Sequence, residues 1–247
     1  MYDAPKILPA GDQALVVEFG DTIEPESNRL VRELASAIEA LDLPGVLETV
    51  PTYRSLLVSY DPLVTASDEL QQAIREIGIG GDEGEAEAGA ARARVVQIPT
   101  LYGGEYGPDT EFVSQNAGMT PREMIAVHSG VDYLVYMMGF SPGFPYLGGL
   151  DERLATPRLE SPRAEVPAGS VGIAEGQTGV YPVASPGGWR IIGRTPVRLF
   201  DPSLDRPTAI SAGDYVRFVA LEGDEQYQDI QRRVLEGSYQ IRTEMSA

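Results

Sequence analysis

Apolar residues in the first third of the chain recur with two different periods. Residues 13–19 (Gln-Ala-Leu-Val-Val-Glu-Phe) predict a strand. Pro25 then opens a pattern in which Leu30, Leu34, Ile38 and Leu41 fall at spacings of four, four and three. That spacing puts the four side chains on one helical stripe, with proline in its favoured first turn. Pro44-Gly45 closes the helix, residues 46–50 and 55–60 predict two strands about a tight Pro51-Thr52-Tyr53 turn, and residues 67–77 predict a second amphipathic helix burying Leu70, Ile74 and Ile77. The order βαββα predicts a small α+β domain with an antiparallel sheet over residues 1–80.

Residues 80–91 are acidic and carry no large apolar side chain, which is linker composition, so the domain boundary is placed at 81–92. Beyond it the pattern shortens. Strands are predicted at 94–98, 131–138, 170–173, 179–183, 190–193, 197–200 and 215–220. Helices are predicted at 109–116, at 120–129 and at 223–236, the last with Tyr227, Ile230, Val234 and Leu235 inward. Thr120-Pro121-Arg122-Glu123 is a capping box with proline at the first helical position, and Gly130 is the stop. Many short strands between turn signals predict a mainly-β barrel or sandwich over 93–247.

Composition narrows the partners. Among 247 residues there are 37 acidic and 19 basic side chains, a formal charge of −18, and Lys6 is the only lysine. Such a surface repels phosphate backbones and anionic lipid, so neither nucleic acid nor membrane is an expected partner. Acidity with almost no lysine suits a salt-rich cytoplasm, and a GC-rich genome favouring arginine codons explains the missing lysine equally well. The N-terminus has no basic-then-apolar leader pattern, no apolar run reaches membrane-span length, and a cytoplasmic location is expected. With no cysteine and one histidine, disulfides, thiolate chemistry and a zinc site are excluded, and no metal ligands are assigned.

Between Val131 and Arg198 the chain alternates glycine and proline with Phe140, Phe144, Tyr146 and Trp189. Glycine admits close backbone approach and proline stiffens the loop. This stretch is therefore expected to handle a ligand, with an alternative reading of some of its rings as core or subunit interface. Gly139-Phe140-Ser141-Pro142-Gly143 matches the G-x-S-x-G nucleophile elbow formally and fails on chemistry: Pro142 has no N–H to donate to an oxyanion. His128, at the end of the capped helix, is either a helix-end residue favoured by the dipole or an active-site group. No phosphate loop of the G-x-x-x-x-G-K type exists, so arginines are the candidate anion holders: Arg158, Arg163, Arg190 and Arg194, with Arg163 fixed between Ser161-Pro162 and Val166-Pro167.

Taken together, Tyr102 to Asp109, Tyr136 to Gly149, Ser161-Pro162-Arg163, Pro167 to Gly172, Gln177 to Pro182 and Pro186-Gly187-Gly188-Trp189 resemble the family of 5-oxoprolinase B subunits. That family is also labelled allophanate hydrolase subunit 1 and KipI-like sporulation-kinase inhibitor, and is similar to part of the carboxyltransferase region of urea carboxylase. The resemblance implies an α+β N-terminal domain followed by a cyclophilin-like β-barrel. It also implies partnership with a homologous C subunit, with an A subunit, and inactivity alone. The implied reaction opens the lactam 5-oxo-L-proline to L-glutamate at the expense of ATP with Mg²⁺, leaving open which subunit holds the nucleotide. Phosphorylation of the lactam carbonyl oxygen would turn it into a leaving group, with charge stabilised by arginines and backbone donors. The implied catalytic residues are His128 as proton carrier, Arg163 and Arg194 as anion clamps and Gln177 as amide reader; Phe140, Phe144, Tyr146, Gly169 and Trp189 are the substrate-contacting candidates. The alternatives are half of a biotin-dependent carboxyltransferase acting on urea or a related amide, and a binding protein that inhibits a histidine kinase.

Overall fold

Strand β2 (Ala14–Glu18) alternates buried and half-exposed side chains, as its sequence alternation requires. In the computed structural model, which describes residues 1–78 and 93–245, it lies inside a four-stranded antiparallel sheet. The order is β1 (Lys6–Pro9), β2, β4 (Ser55–Tyr60), β3 (Val46–Pro51). Helices α1 (Pro25–Leu41) and α2 (Ser67–Glu76) complete this first unit, and their Leu30, Leu34, Ile38, Leu70 and Ile74 share a core with Leu15, Val17, Leu56 and Val58. Three details depart from the sequence expectation. β1 was not anticipated, because its mostly exposed edge position leaves no alternation to see. Leu41 is exposed rather than part of the stripe. The helix ends at Asp42 in the left-handed region, before Pro44-Gly45 is reached.

The chain divides into two compact units, Met1–Ala91 and Arg92–Ala247. The linker expected at 81–92 lies outside the described residues. In the second unit, β5 (Arg94–Tyr102) is followed by α3 (Thr110–Asn116), α4 (Pro121–Ser129), β6 (Asp132–Met138) and β7 (Pro145–Gly148). After a short 3₁₀ turn come β8 (Arg163–Val166), β9 (Ser170–Ala174), β10 (Gln177–Val180), β11 (Ser185–Gly187), β12 (Arg190–Arg194), β13 (Tyr215–Ala220), α5 (Asp224–Leu235) and β14 (Thr243–Met245).

The ladder runs β12-β9-β10-β7-β6-β13-β5, and β5 pairs again with β12, closing a seven-stranded barrel with β14 added beside β5. Closure needs the one parallel pair, β13 with β5, among antiparallel neighbours. Strands β8 and β11 pair separately as a two-stranded arm. The barrel core holds Val96, Ile98, Val135, Leu147, Val171, Ile173, Ile192, Val216 and Phe218.

The predicted α4 carries its capping box: Thr120 accepts from the Glu123 N–H while Glu123 accepts from the Thr120 N–H. The strand expected at 197–200 is not one. Val197 and Leu199 are buried, yet the segment makes only an isolated bridge, Phe200 to Thr208. In α5, Tyr227 is buried and Ile230 packs on the core, whereas Leu235, expected inward, is 77 % exposed.

Candidate functional site

Helix α4 delivers His128 into the barrel. The side chain is fully buried, its ring lying 4.8 Å from Phe218 and 5.4 Å from Tyr133. Nδ1 is 2.8 Å from the Tyr102 hydroxyl of β5, and Nε2 is 2.8 Å from Thr178 Oγ1 of β10. The tautomer follows from proton bookkeeping. Thr178 donates its only proton to the Gly172 carbonyl, so its oxygen accepts from His128 Nε2–H, and Nδ1 accepts from Tyr102. Tyr133 donates in turn to the His128 carbonyl. Burial holds this imidazole neutral, its pKa lowered to about 3, and the same burial pushes the Tyr102 hydroxyl well up. A proton carrier needs access to substrate and a pKa near the working pH. His128 has neither, so the expected role does not fit; the ring pins α4 to two strands that are not neighbours round the barrel.

The Gly/Pro/aromatic stretch also folds largely inward. Phe144, Tyr181 and Trp189 form a second buried cluster with Val166, Ala174 and Ile191, and Phe144 makes edge-to-face contacts with Tyr181 at 5.5 Å and Trp189 at 5.6 Å. Tyr146 is half-buried against Phe144. The expected ligand wall of Phe144 and Trp189 is therefore a satellite core: alternating perpendicular rings satisfy their quadrupoles among themselves. Phe140 is the exception. It is 68 % exposed and sits at φ +64, in the left-handed region that bulky side chains rarely adopt. Its loop is tightened by bonds from Ser141 N–H to the Gly139 carbonyl (2.7 Å) and from Phe144 N–H to the Ser141 carbonyl (3.0 Å). Residues Met138 to Gly143 line a shallow groove of about 400 Å³, and the Ser141 hydroxyl is buried there without a partner.

The four expected catalytic residues are not brought together. Arg163 lies on the two-stranded arm, where one guanidinium nitrogen spans both oxygens of Asp109 at 2.8 and 3.0 Å and another donates to the Trp189 carbonyl. Gln177 opens β10 opposite Ala174, across a turn in which Glu175 takes φ +50. Arg194 closes β12 opposite Ser170, at the other end of β9. Four residues of strand separate the two levels, about 13 Å. Gly169 stands beside Arg194: its φ is +80 and an added Cβ would sit 2.2 Å from the Thr195 carbonyl oxygen, so the position is closed to any side chain. Arg194, Ser170, Tyr181, Phe144 and Gly139 form one row. Ser170 is the cross-strand partner of Arg194, its carbonyl accepts from Tyr181 N–H, and the Phe144 carbonyl accepts from Gly139 N–H. The Phe140 loop and Arg194 thus share one rim, and Gln177 belongs to the opposite one.

Asp109 was missed by sequence reasoning. It stands at the start of α3 yet makes no cap bond; its carboxylate takes Arg163, lies 3.9 Å from Arg190 and accepts from the Ile191 N–H at 2.7 Å. The partners lie 54 and more residues away, so no local spacing announces them. Tyr102 and Thr178 were likewise only parts of longer motifs, with nothing local to mark their bonds to His128.

Comparison with known proteins adds a second line of argument. The family profile of the carboxyltransferase domain, subdomain C and D, matches residues 5–210. The chain is 42 % identical over 230 residues to a Bacillus subtilis (strain 168) protein named as the B subunit of 5-oxoprolinase, covering 87 % of this chain and 92 % of that one. It is 49 % identical to a conserved uncharacterized protein of Pyrococcus horikoshii, covering 90 % of this chain and 100 % of the other with a TM-score of 0.53. Kluyveromyces lactis urea carboxylase aligns over 98 % of this chain and 24 % of its own, at 19 % identity and a TM-score of 0.75, a likeness of fold.

Proposed function

Because the chain belongs to the carboxyltransferase-domain family of subdomains C and D, among its 5-oxoprolinase B subunits, we propose that it is the B component of an ATP-dependent 5-oxoprolinase. With an A and a C component it opens 5-oxo-L-proline to L-glutamate, and alone it is inactive. The observation that carries this reading is the near-full-length likeness to a protein named as the B subunit of 5-oxoprolinase. The structural likeness to urea carboxylase concerns the fold alone, and a short sequence match to a putative urea carboxylase supports the carboxylation alternative only weakly. By resemblance the barrel is of the cyclophilin-like type.

We assign Mg²⁺-ATP to a partner chain rather than to this one. Among the described residues no three His, Asp or Glu side chains come together. The buried carboxylate of Asp109 is already committed to Arg163 and the Ile191 N–H. No step toward nucleotide or metal is drawn through this chain. What the chain contributes is the rim bearing the Phe140 loop, Gly169 and Arg194, as one wall of a cleft that another polypeptide completes. Arg163 is assigned to holding the arm through Asp109.

The test is co-expression with the A and C components, followed by an assay of glutamate released from 5-oxoproline with and without ATP. Release that requires all three chains and ATP is expected. No turnover with all three present overturns the reading, and biotin-dependent carboxylation of urea by such a complex would replace it.

A further inference from the structure

Where the C-terminal segment runs back along the barrel it leaves a cavity of about 380 Å³ that opens to solvent. Two arginines line it, Arg94 at the start of β5 and Arg206 in the connection between β12 and β13, and no carboxylate does. On a chain with 37 acidic and 19 basic side chains, that inverts the prevailing charge. The cavity is remote from the rim that bears Arg194. Arg194 pairs with Leu101, seven residues along β5 from Arg94, or about 23 Å of strand.

The two arginines are held differently. Arg94 is fixed: Asp214 accepts from its Nε at 3.2 Å and from Nη2 at 2.5 Å, and the Ala209 carbonyl accepts from Nη2 at 3.2 Å. Its Nη1 has no partner among the described residues. Arg206 is exposed and makes no hydrogen bond or ion pair among them. Tyr239 and Ile241 pack on the barrel core and give the cavity an apolar side, while Thr208, Gln240 and Thr243 supply uncharged polar groups. Two further arginines act on Tyr239: Arg233 lies 5.3 Å from its ring, and Arg242 bears on its hydroxyl through charge. Arg233 is shared with Asp229 at 3.8 Å, whereas Arg242 forms no ion pair among the described residues. An unpaired arginine by itself says nothing, since Arg122 on α4 is exposed and unpaired too. What sets this place apart is several guanidinium groups about one open concavity of ligand size with no carboxylate in its walls.

We propose that this cavity binds a small oxyanion, a carboxylate or a phosphate, between Arg206 and Arg94, with the carbon skeleton of an organic acid against Tyr239 and Ile241. Guanidinium supplies only donors, in a fork that matches carboxylate and phosphate oxygens. Arg94 is oriented in advance by Asp214, so little side-chain freedom is lost when it engages a ligand. Arg206 brings the positive charge that Asp214 cancels at Arg94. A bound anion bridges the start of β5, the connection at 206–209 and the C-terminal segment, and so ties that segment to the barrel. The site belongs to this chain alone and does not depend on the partners or the reaction assigned above. At a net charge of −18 the surface repels anions in general, so selective anion binding has to come from a local arrangement of this kind.

The experiment is a thermal melt of the full chain in inorganic phosphate and, separately, in succinate, each against chloride at equal ionic strength so that screening cancels. A saturable rise in melting temperature with one or both anions is expected: phosphate alone identifies a phosphoryl ligand, succinate alone a carboxylate. Amide exchange across residues 239–245 should slow with the same half-saturating concentration. Arg206→Gln, which removes no hydrogen bond or ion pair of the folded chain, should raise that concentration about tenfold or more, and Arg206→Lys should recover part of the loss. Arg122→Gln, on an exposed arginine of α4, should respond as wild type does. No rise beyond chloride, unchanged exchange across 239–245, an undiminished response in Arg206→Gln, or an equal loss in Arg122→Gln would overturn the proposal.

Discussion

His128 and Arg194 were expected at one site, and they sit in opposite physical regimes. Around His128 every proton has a destination: Tyr102 gives, Thr178 receives and passes its own to Gly172, and Tyr133 closes on the backbone. Around Arg194 a charge is held by an aromatic ring and leaves its buried Nε unanswered. A saturated network in a dry interior gains rigidity and has nothing left to offer a substrate. An unsaturated one leaves a buried polar atom uncompensated, at a cost in stability. Residue type alone points the other way, since a lone histidine is the more familiar catalyst.

This contrast can be broken in several ways, the largest first. His128→Ala empties an aromatic-sized space and orphans the Tyr102 hydroxyl, and should lower unfolding free energy by about 3–5 kcal/mol in a urea titration. Asp109→Asn weakens the tie between the arm and the barrel while keeping an acceptor for the Ile191 N–H, and should cost roughly 2 kcal/mol in the same assay.

The third prediction concerns pH. The folded pKa of His128, about 3, lies below its unfolded value near 6.5, so the unfolded state binds the extra proton between them. Its contribution is complete above pH 6.5 and is lost as pH falls toward 3, with a slope of at most about 1.4 kcal/mol per pH unit. Because the chain has a single histidine, the slope between about pH 6.5 and 5 should vanish in His128→Gln. The smallest effect runs the other way. Phe140→Gly relieves a left-handed residue whose ring is mostly exposed, and should raise stability by about 0.5–1 kcal/mol while impairing turnover of the assembled complex.

Local rules explain what could be read without coordinates. The stripe Leu30, Leu34, Ile38 predicts α1, and Thr120 with Glu123 predicts the start of α4, because both signals lie within a turn or two of chain. Where the pattern misled, burial had been mistaken for pairing. Val197 and Leu199 alternate and are buried, yet Pro196 and Pro202 flank them and only one bridge forms. The aromatic loops raise the same difficulty at larger scale: Phe144, Trp189 and Phe140 share one composition, and only the fold separates two core rings from one exposed ring. Neighbours made by strand register are invisible in sequence, since Ser170 and Arg194 meet only through the β9–β12 pairing.

We assign His128 to the architecture and propose the rim as the functional face, and one measurement meets that division directly. Turnover of 5-oxoproline is compared for the three-component complex carrying wild-type chain or His128→Gln, at a temperature where circular dichroism shows both folded. Within about threefold of wild-type kcat is the expected result. A loss of about 100-fold or more with the fold intact would put His128 back in the chemistry and contradict the division drawn here.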